Sequence, residues 1–284
     1  MSTRPTSRRQ RAGTTVAIDT SFSNLGVLDE LAARDTAIHR LDARAKLLTT
    51  LFFVVTVVSF DRFAITALVP FAVYPVFLAS AGGVPFSYLA RRILVVAPFA
   101  IMLGAFNPIL DTNVRAHLGP LAVSGGWLSF GSILLRFVLT VSAVLALTAV
   151  SGFNAVCRAL GQLLVPRVLV VQLMLLYRYI FVLGDEARRM ARARALRNPS
   201  GARLGFRSWG SLVGHLMLRA FDRAHRIHQA MLCRAFDGDI RASSRSHFSA
   251  SDALFTLGWC GVFVLLRLVD LPQWLGRIVM GFLA

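Results

Sequence analysis

The chain is poor in acid and in cysteine. Of its 284 residues only 14 are Asp or Glu against 31 Lys or Arg, a formal net charge of +17. Cys157, Cys233 and Cys260 lie far apart with no C-x-x-C spacing, which argues against a disulfide framework or a zinc ribbon and leaves reduced or buried thiols as the expectation. No G-x-x-x-x-G-K-[ST] loop occurs, so the chain carries no ATP site of that kind. Asp185 and Glu186 are adjacent, diverge around a helix and have no base set against them. His225 and His228 are three apart on one helix with no third ligand nearby, and read as polar-face histidines, not as a metal site. His39 reads as a cap or surface hydrogen bond. Neither catalysis nor a bound cofactor is expected. The opening "MSTRPTSRRQRAGTT" has no apolar stretch behind it, so it is expected to be a solvated tail (residues 1–35) and not a signal peptide.

Apolar residues are abundant: 56% of the chain is hydrophobic and its mean hydropathy is +0.63. A basic excess on a soluble body points to nucleic acid. Here the arginines fall between long apolar runs, the pattern of an integral membrane protein with cytoplasmic loops, and no nucleic-acid partner is expected. After a surface helix or turn over residues 24–44, the runs are 46–60, 63–83, 93–110, 127–150, 165–184 and 253–271. A spanning helix needs about 20 residues to cross a core of about 30 Å, so several are short or tilted. Pro70, Pro75, Pro98 and Pro108 sit in or beside them and predict kinks. The fold class is therefore all-α: a membrane helical domain over 36–184, a cytoplasmic module of amphipathic helices over 185–252, and a last membrane helix with an interfacial tail over 253–284. Arg136, Gln172, Arg178 and Arg267 are costly in lipid and should face protein or reach an interface.

Arginine bias sets the orientation. Residues 185–252 carry 13 arginines and the turn 84–92 carries Arg91 and Arg92, whereas 109–126 has Arg115 alone, offset by Asp111. This puts the N-terminus, the 84–92 turn and the large loop in the cytoplasm of a multi-pass cell-membrane protein. Four crossings return the chain to the cytoplasm near Ser151, and a fifth at 165–184 would put the arginine-rich loop outside. That segment is therefore read as tilted or incompletely spanning, and the parity stays open.

Within the loop, "DEARRMARARALR" (185–197) is made of strong helix formers, with acids first and bases after, the order that suits a helix dipole. "NPSG" (198–201) ends it. A second helix is predicted from about Ser208. Its apolar positions, Trp209, Leu212, Val213, Leu216, Met217, Ala220, Phe221, Ala224, Ile227 and Met231, step by three and four. Gly238 is the expected stop. Two readings of this module stay open, a docking surface for a cytoplasmic partner and a helix lying on the membrane surface.

"IHRLDARAKLL" (38–48), "FNPIL" (106–110), "LVPRVLVVQLMLLYRYIFVLGDEARRMARARALR" (164–197) and "RAFDRAHRIHQAMLCRAFDGD" (219–239) come in this order over most of the chain. Together they resemble the transmembrane T component of energy-coupling factor importers, in its cobalt-type CbiQ branch. The resemblance implies a non-catalytic coupling subunit with two ATPase partners, which hold ATP and Mg, and a membrane substrate-capture partner for cobalt or nickel; a vitamin cargo and a free-standing channel or secondary transporter remain alternatives. It also implies that two Ala-Arg-Gly-like motifs end the coupling helices and dock onto the ATPases. By position these fall on Leu196, Arg197 and Asn198, and on Cys233, Arg234 and Ala235. Both keep the arginine and lack the glycine. By the same resemblance Arg178, in "YRY" (177–179), stands before the coupling region and is expected to pair with Asp185 or Glu186.

Overall fold

The computed structural model describes residues 32, 34, 36, 38–61, 65–107, 114–118, 121–163, 165–197, 206–238 and 248–268. It divides into two compact units, Asp29–Ala159 with Arg245–Ala284, and Leu160–Ser244 with Met1–Leu28. The predicted surface segment at 24–44 lies largely outside the described residues, as do the N-terminal and C-terminal tails.

The first unit is an all-α bundle: α1 (Ala43–Val58), α2 (Ile65–Leu68), a 3₁₀ turn (Val69–Ala72), α3 (Val73–Ala81), α4 (Phe86–Gly104), a hairpin of β1 (Val114–Leu118) and β2 (Leu121–Ser124), and α5 (Gly125–Ser151). A short helix α6 (Phe153–Gln162) runs across the boundary between the units, the second unit holds α7 (Arg167–Arg197) and α8 (Phe206–Leu232), and α9 (Ala250–Leu268) completes the first. The hairpin is antiparallel, pairing Val114 with Ser124 and Leu118 with Leu121. Pro70 sits in the 3₁₀ turn that joins α2 to α3, the local cost of a proline without an N–H to donate. Pro98 lies inside α4 without ending it.

α5 packs on α1, α2, α3 and α4. It buries Ser129, Ser132, Ser142, Ala143, Ala146 and Ala149, and small side chains of this kind let helices approach closely where lipid supplies no hydrophobic drive. A Cβ on Gly82 would lie 2.3 Å from Val150 Cγ2, and one on Gly104 2.7 Å from Phe130 Cδ2, so glycine is required at both contacts. The hydroxyls of α1 do not go unsatisfied: Thr49 donates to Ala45 O (2.8 Å), Thr50 donates to Lys46 O (2.7 Å), and Thr50 Oγ1 also lies 2.7 Å from the Tyr74 hydroxyl. Outward, α4 presents Leu94, Val95, Phe99, Met102 and Leu103, an apolar surface suited to lipid and costly in water. Helices long and apolar enough to cross a membrane are α4, α5, α7 and α9, with the pair α2–α3 shorter. The chain is a multi-pass membrane protein.

Contacts sort the helix ends into two groups. At one end Arg34 donates to Gly83 O (2.6 Å), Gly82 meets Val150, and the Asp42 N–H donates to Asp252 (2.8 Å). At the other, Arg267 donates to Ser59 O (3.0 Å), Arg136 donates to Asp61 O, Ile65 meets Gly131 and Gly104 meets Phe130. So α1 and α9 run parallel, and α5 finishes at the end where α9 begins. Arg136 and Arg267, expected to avoid lipid, do so by serving carbonyls beyond the last turn of α1. Arg267 also lies over the Phe60 ring, 4.1 Å from its centroid.

Candidate functional site

The second unit contains α7 (Arg167–Arg197) and α8 (Phe206–Leu232), which pack on each other. α7 runs unbroken for 31 residues, about 46 Å at about 1.5 Å per residue. Residue 185, where the cytoplasmic module was expected to begin, is thus inside a helix. Asp185 and Glu186 therefore stand in mid-helix and do not complement an N-terminal dipole. They hold arginines instead. Asp185 accepts from Arg188 one turn on (2.6 Å) and Glu186 from Arg219 on α8. This corrects the expected pairing with Arg178, which is exposed two turns earlier. The last turn carries Arg194 and Arg197, cations placed where the helix carbonyls are unsatisfied. Leu196 and Arg197 are exposed; Asn198 lies outside the described residues.

The apolar face of α8 is wider than its contact. Leu212, Leu216, Ala220, Ile227 and Met231 form a half-buried line, whereas Val213, Met217, Phe221 and Ala224, one position further round, are exposed. Phe221 keeps 62% of its surface accessible and Met217 56%. The helix spans the expected Trp209, whose side chain is outside the description. On the polar side His225 Nε2 lies 3.2 Å from Gln229 Nε2. No group of three or more His, Cys, Asp or Glu that could hold a metal occurs among the described residues. His39 Nδ1 is 2.8 Å from Thr36 Oγ1, a local bond of the kind expected.

The end of α8 differs from the sequence reading in an instructive way. The helix stops at Leu232, and the left-handed residue that ends it is Ala235 with φ 55°; the expected stop, Gly238, is also left-handed (φ 88°) but lies three residues further on. The Phe236 N–H donates to Met231 O (3.1 Å) and the Ala235 N–H to Leu232 O (3.0 Å). These two bonds form a Schellman motif, in which Ala235 takes the left-handed position that glycine usually fills and Arg234 is the C-cap. Cys233, Arg234 and Ala235 are all exposed. Arg234 is thus presented at a defined helix end, by a backbone bent against the preference of an L residue. Nothing in the sequence marked Ala235 for this role, because the side chain carries no turn signal. Ala235→Gly is expected to relieve the strain and stabilise this end by about 0.5–1 kcal/mol. Slower amide exchange at positions 235 and 236 would show it, and unchanged or faster exchange would contradict it.

Two helices packed in one unit thus each deliver an exposed arginine at their C-terminal end. The sequence model of the cobalt transport protein family, CbiQ, matches residues 34–247. An uncharacterized protein of Methanocaldococcus jannaschii is 32% identical over 62% of this chain and 62% of its own length. The energy-coupling factor transporter transmembrane protein EcfT of Heliobacterium modesticaldum is 28% identical over 85% of this chain and 96% of its own. The cobalt transport protein CbiQ of Rhodobacter capsulatus is 35% identical over 28% of this chain and 33% of its own.

Proposed function

This chain belongs to the CbiQ cobalt transport protein family, and we propose that it acts as the coupling subunit of an ATP-driven importer, passing motion from two ATPase subunits to a membrane capture subunit for cobalt or nickel. The observation that carries the reading is the pair of exposed arginines, Arg197 and Arg234, each ending a helix of the same two-helix unit.

Topology supports it. The chain leaves the bundle after Ser151 at the end where it returns at Ser249, since Val150 lies against Gly82 at the end where Asp42 meets Asp252. The segment between therefore makes no net crossing, although the first part of α7 is long and apolar enough for one. The arginine bias of this segment and of the N-terminal residues supports a cytoplasmic location for both. A guanidinium suits the task because it forks onto carboxylates and carbonyls and keeps its charge. ATP and Mg belong to the partners in this reading. Closure of the ATPase pair draws the two helix ends together, and the exposed line Val213, Met217 and Phe221 moves against the membrane partner.

The test is purification of the chain from membranes with its associated proteins, followed by an ATPase assay. Two copies of an ATP-hydrolysing subunit are expected for each chain. A chain that transports without them is a channel or secondary transporter, and the proposal fails.

A further inference from the structure

Lys46 is the only lysine in the chain, and it is 1% exposed. Its ammonium donates to Ile38 O at 3.1 Å. Beside it are two buried carboxylates, Asp42 at 7% and Asp252 at 3% exposure. They do different things. Asp42 is the N-cap of α1: its side chain accepts from the Arg44 N–H at 3.0 Å. Asp252 joins two helices. Its Oδ2 accepts from the Ser249 N–H at the start of α9 (2.8 Å), and its Oδ1 accepts from the Asp42 N–H (2.8 Å), 210 residues away in sequence. A carboxylate has lone pairs enough for both bonds; an amide in its place offers only one oxygen. With Lys46 nearby, the burial of two negative charges is partly compensated.

The far ends of the same helices are also tied. Arg267 donates to Ser59 O at 3.0 Å and lies 3.3 Å from Ser59 Oγ. The two ties are about 22 Å apart along α9 at about 1.5 Å per residue. Between the two ties the rings of Phe52 and Phe53 pack on Phe263, and the hydrogen bonds add a directional constraint at each end that packing alone does not supply. α1 and α9 are therefore tied to each other at both ends. The chain enters α9 at Ser249, 15 residues after Arg234.

We propose that Asp252 is a positioning residue: it locks the start of α9 to α1, so that displacement of the arginine-tipped segment is passed through this pair to the opposite face of the bundle. The idea rests on the coupling function proposed above. Without the lock, ATPase subunits still bind and still hydrolyse ATP, and the start of α9 shifts without carrying α1 with it.

The experiment uses the full chain assembled with its ATPase subunits in lipid nanodiscs and needs no knowledge of the cargo. Leu268→Cys places a thiol at the far end of α9, where the side chain is 79% exposed. Its rate of labelling by a water-soluble maleimide, above that of the parent chain, is measured with and without ATP. ATP is expected to change the rate about fivefold or more, and Asp252→Asn to abolish that response while ATPase binding and hydrolysis stay near those of the parent. If Asp252→Asn fails to assemble, Lys46→Met with Asp252→Asn removes both charges together, and the same loss is expected. A preserved ATP response in whichever variant assembles overturns the proposal. So does a parent that hydrolyses ATP with no change at position 268, an outcome that leaves the coupling function standing. Absence of any ATPase from the purified parent removes that function and the proposal with it.

Discussion

Arg197→Glu combined with Arg234→Glu is expected to strip both ATPase subunits from the complex and leave the chain in the membrane. The two side chains are exposed and belong to the second compact unit, not to the one that holds the α1–α5 bundle, so reversing them removes nothing from that bundle's core. What is lost, on the proposed function, lies across the ATPase contact. Breaking one desolvated, hydrogen-bonded charge pair costs about 2–5 kcal/mol, or roughly thirtyfold or more in affinity at each site. Each single change should release one ATPase and weaken hydrolysis, because the nucleotide-binding partners then no longer meet as a pair. A glutamate at a helix C-terminus also opposes the dipole, by about 0.3–1 kcal/mol. That term is separated with Arg197→Gln and Arg234→Gln, which keep the helix ends and lose the charge; these should still lose most of the binding. Co-purification from membranes, followed by ATPase activity, reads the outcome. Normal assembly in the double variant removes the arginines from the mechanism altogether.

How far sequence reaches is visible in α8. Its stripe from Leu212 to Met231 was legible because burial repeats at the period of the helix, and the helix starts within two residues of the expected Ser208. The same stripe could not say which of its residues would be covered. Half-buried Leu212 and Leu216 and exposed Val213 and Met217 are equally apolar, so side-chain chemistry does not distinguish them. The unbroken passage of α7 through residue 185 was hidden for a different reason. Composition changes there from apolar to charged, which marks a change of surroundings, while the backbone stays helical because Ala, Arg, Met, Leu and Glu over 185–197 are all strong helix formers. Both arginine tips were legible as residue types beside stop signals. The geometry that presents Arg234 was not, since it depends on one alanine in a left-handed turn. Least legible were the ties between distant segments, Asp42 with Asp252 and Ser59 with Arg267. A charged residue in a membrane helix announces that it needs a partner and gives no hint of which.

Phe263→Ala is expected to be the most damaging single truncation in the bundle. Phe263 is 1% exposed, and five rings surround it, with centroids 5.2 Å away at Tyr74, 5.3 Å at Phe53, 5.7 Å at Trp259, 6.1 Å at Phe71 and 6.3 Å at Phe52. Those rings come from α1, from the 3₁₀ turn, from α3 and from α9 itself, so one side chain fastens the last helix to the first third of the chain. Helix association in lipid depends on close packing more than on transfer out of water, and a cavity here forfeits contacts on every side. The loss should be about 3–5 kcal/mol, seen as a large fall in the thermal midpoint of the detergent-solubilised protein. Leu265, two residues on and 58% exposed, supplies the control, because its side chain turns away from this cluster. Leu265→Ala should cost no more than about 0.5 kcal/mol. Were the two variants to melt alike, α9 would be held by its end ties alone, and the ring cluster would be filling space without fixing the helix.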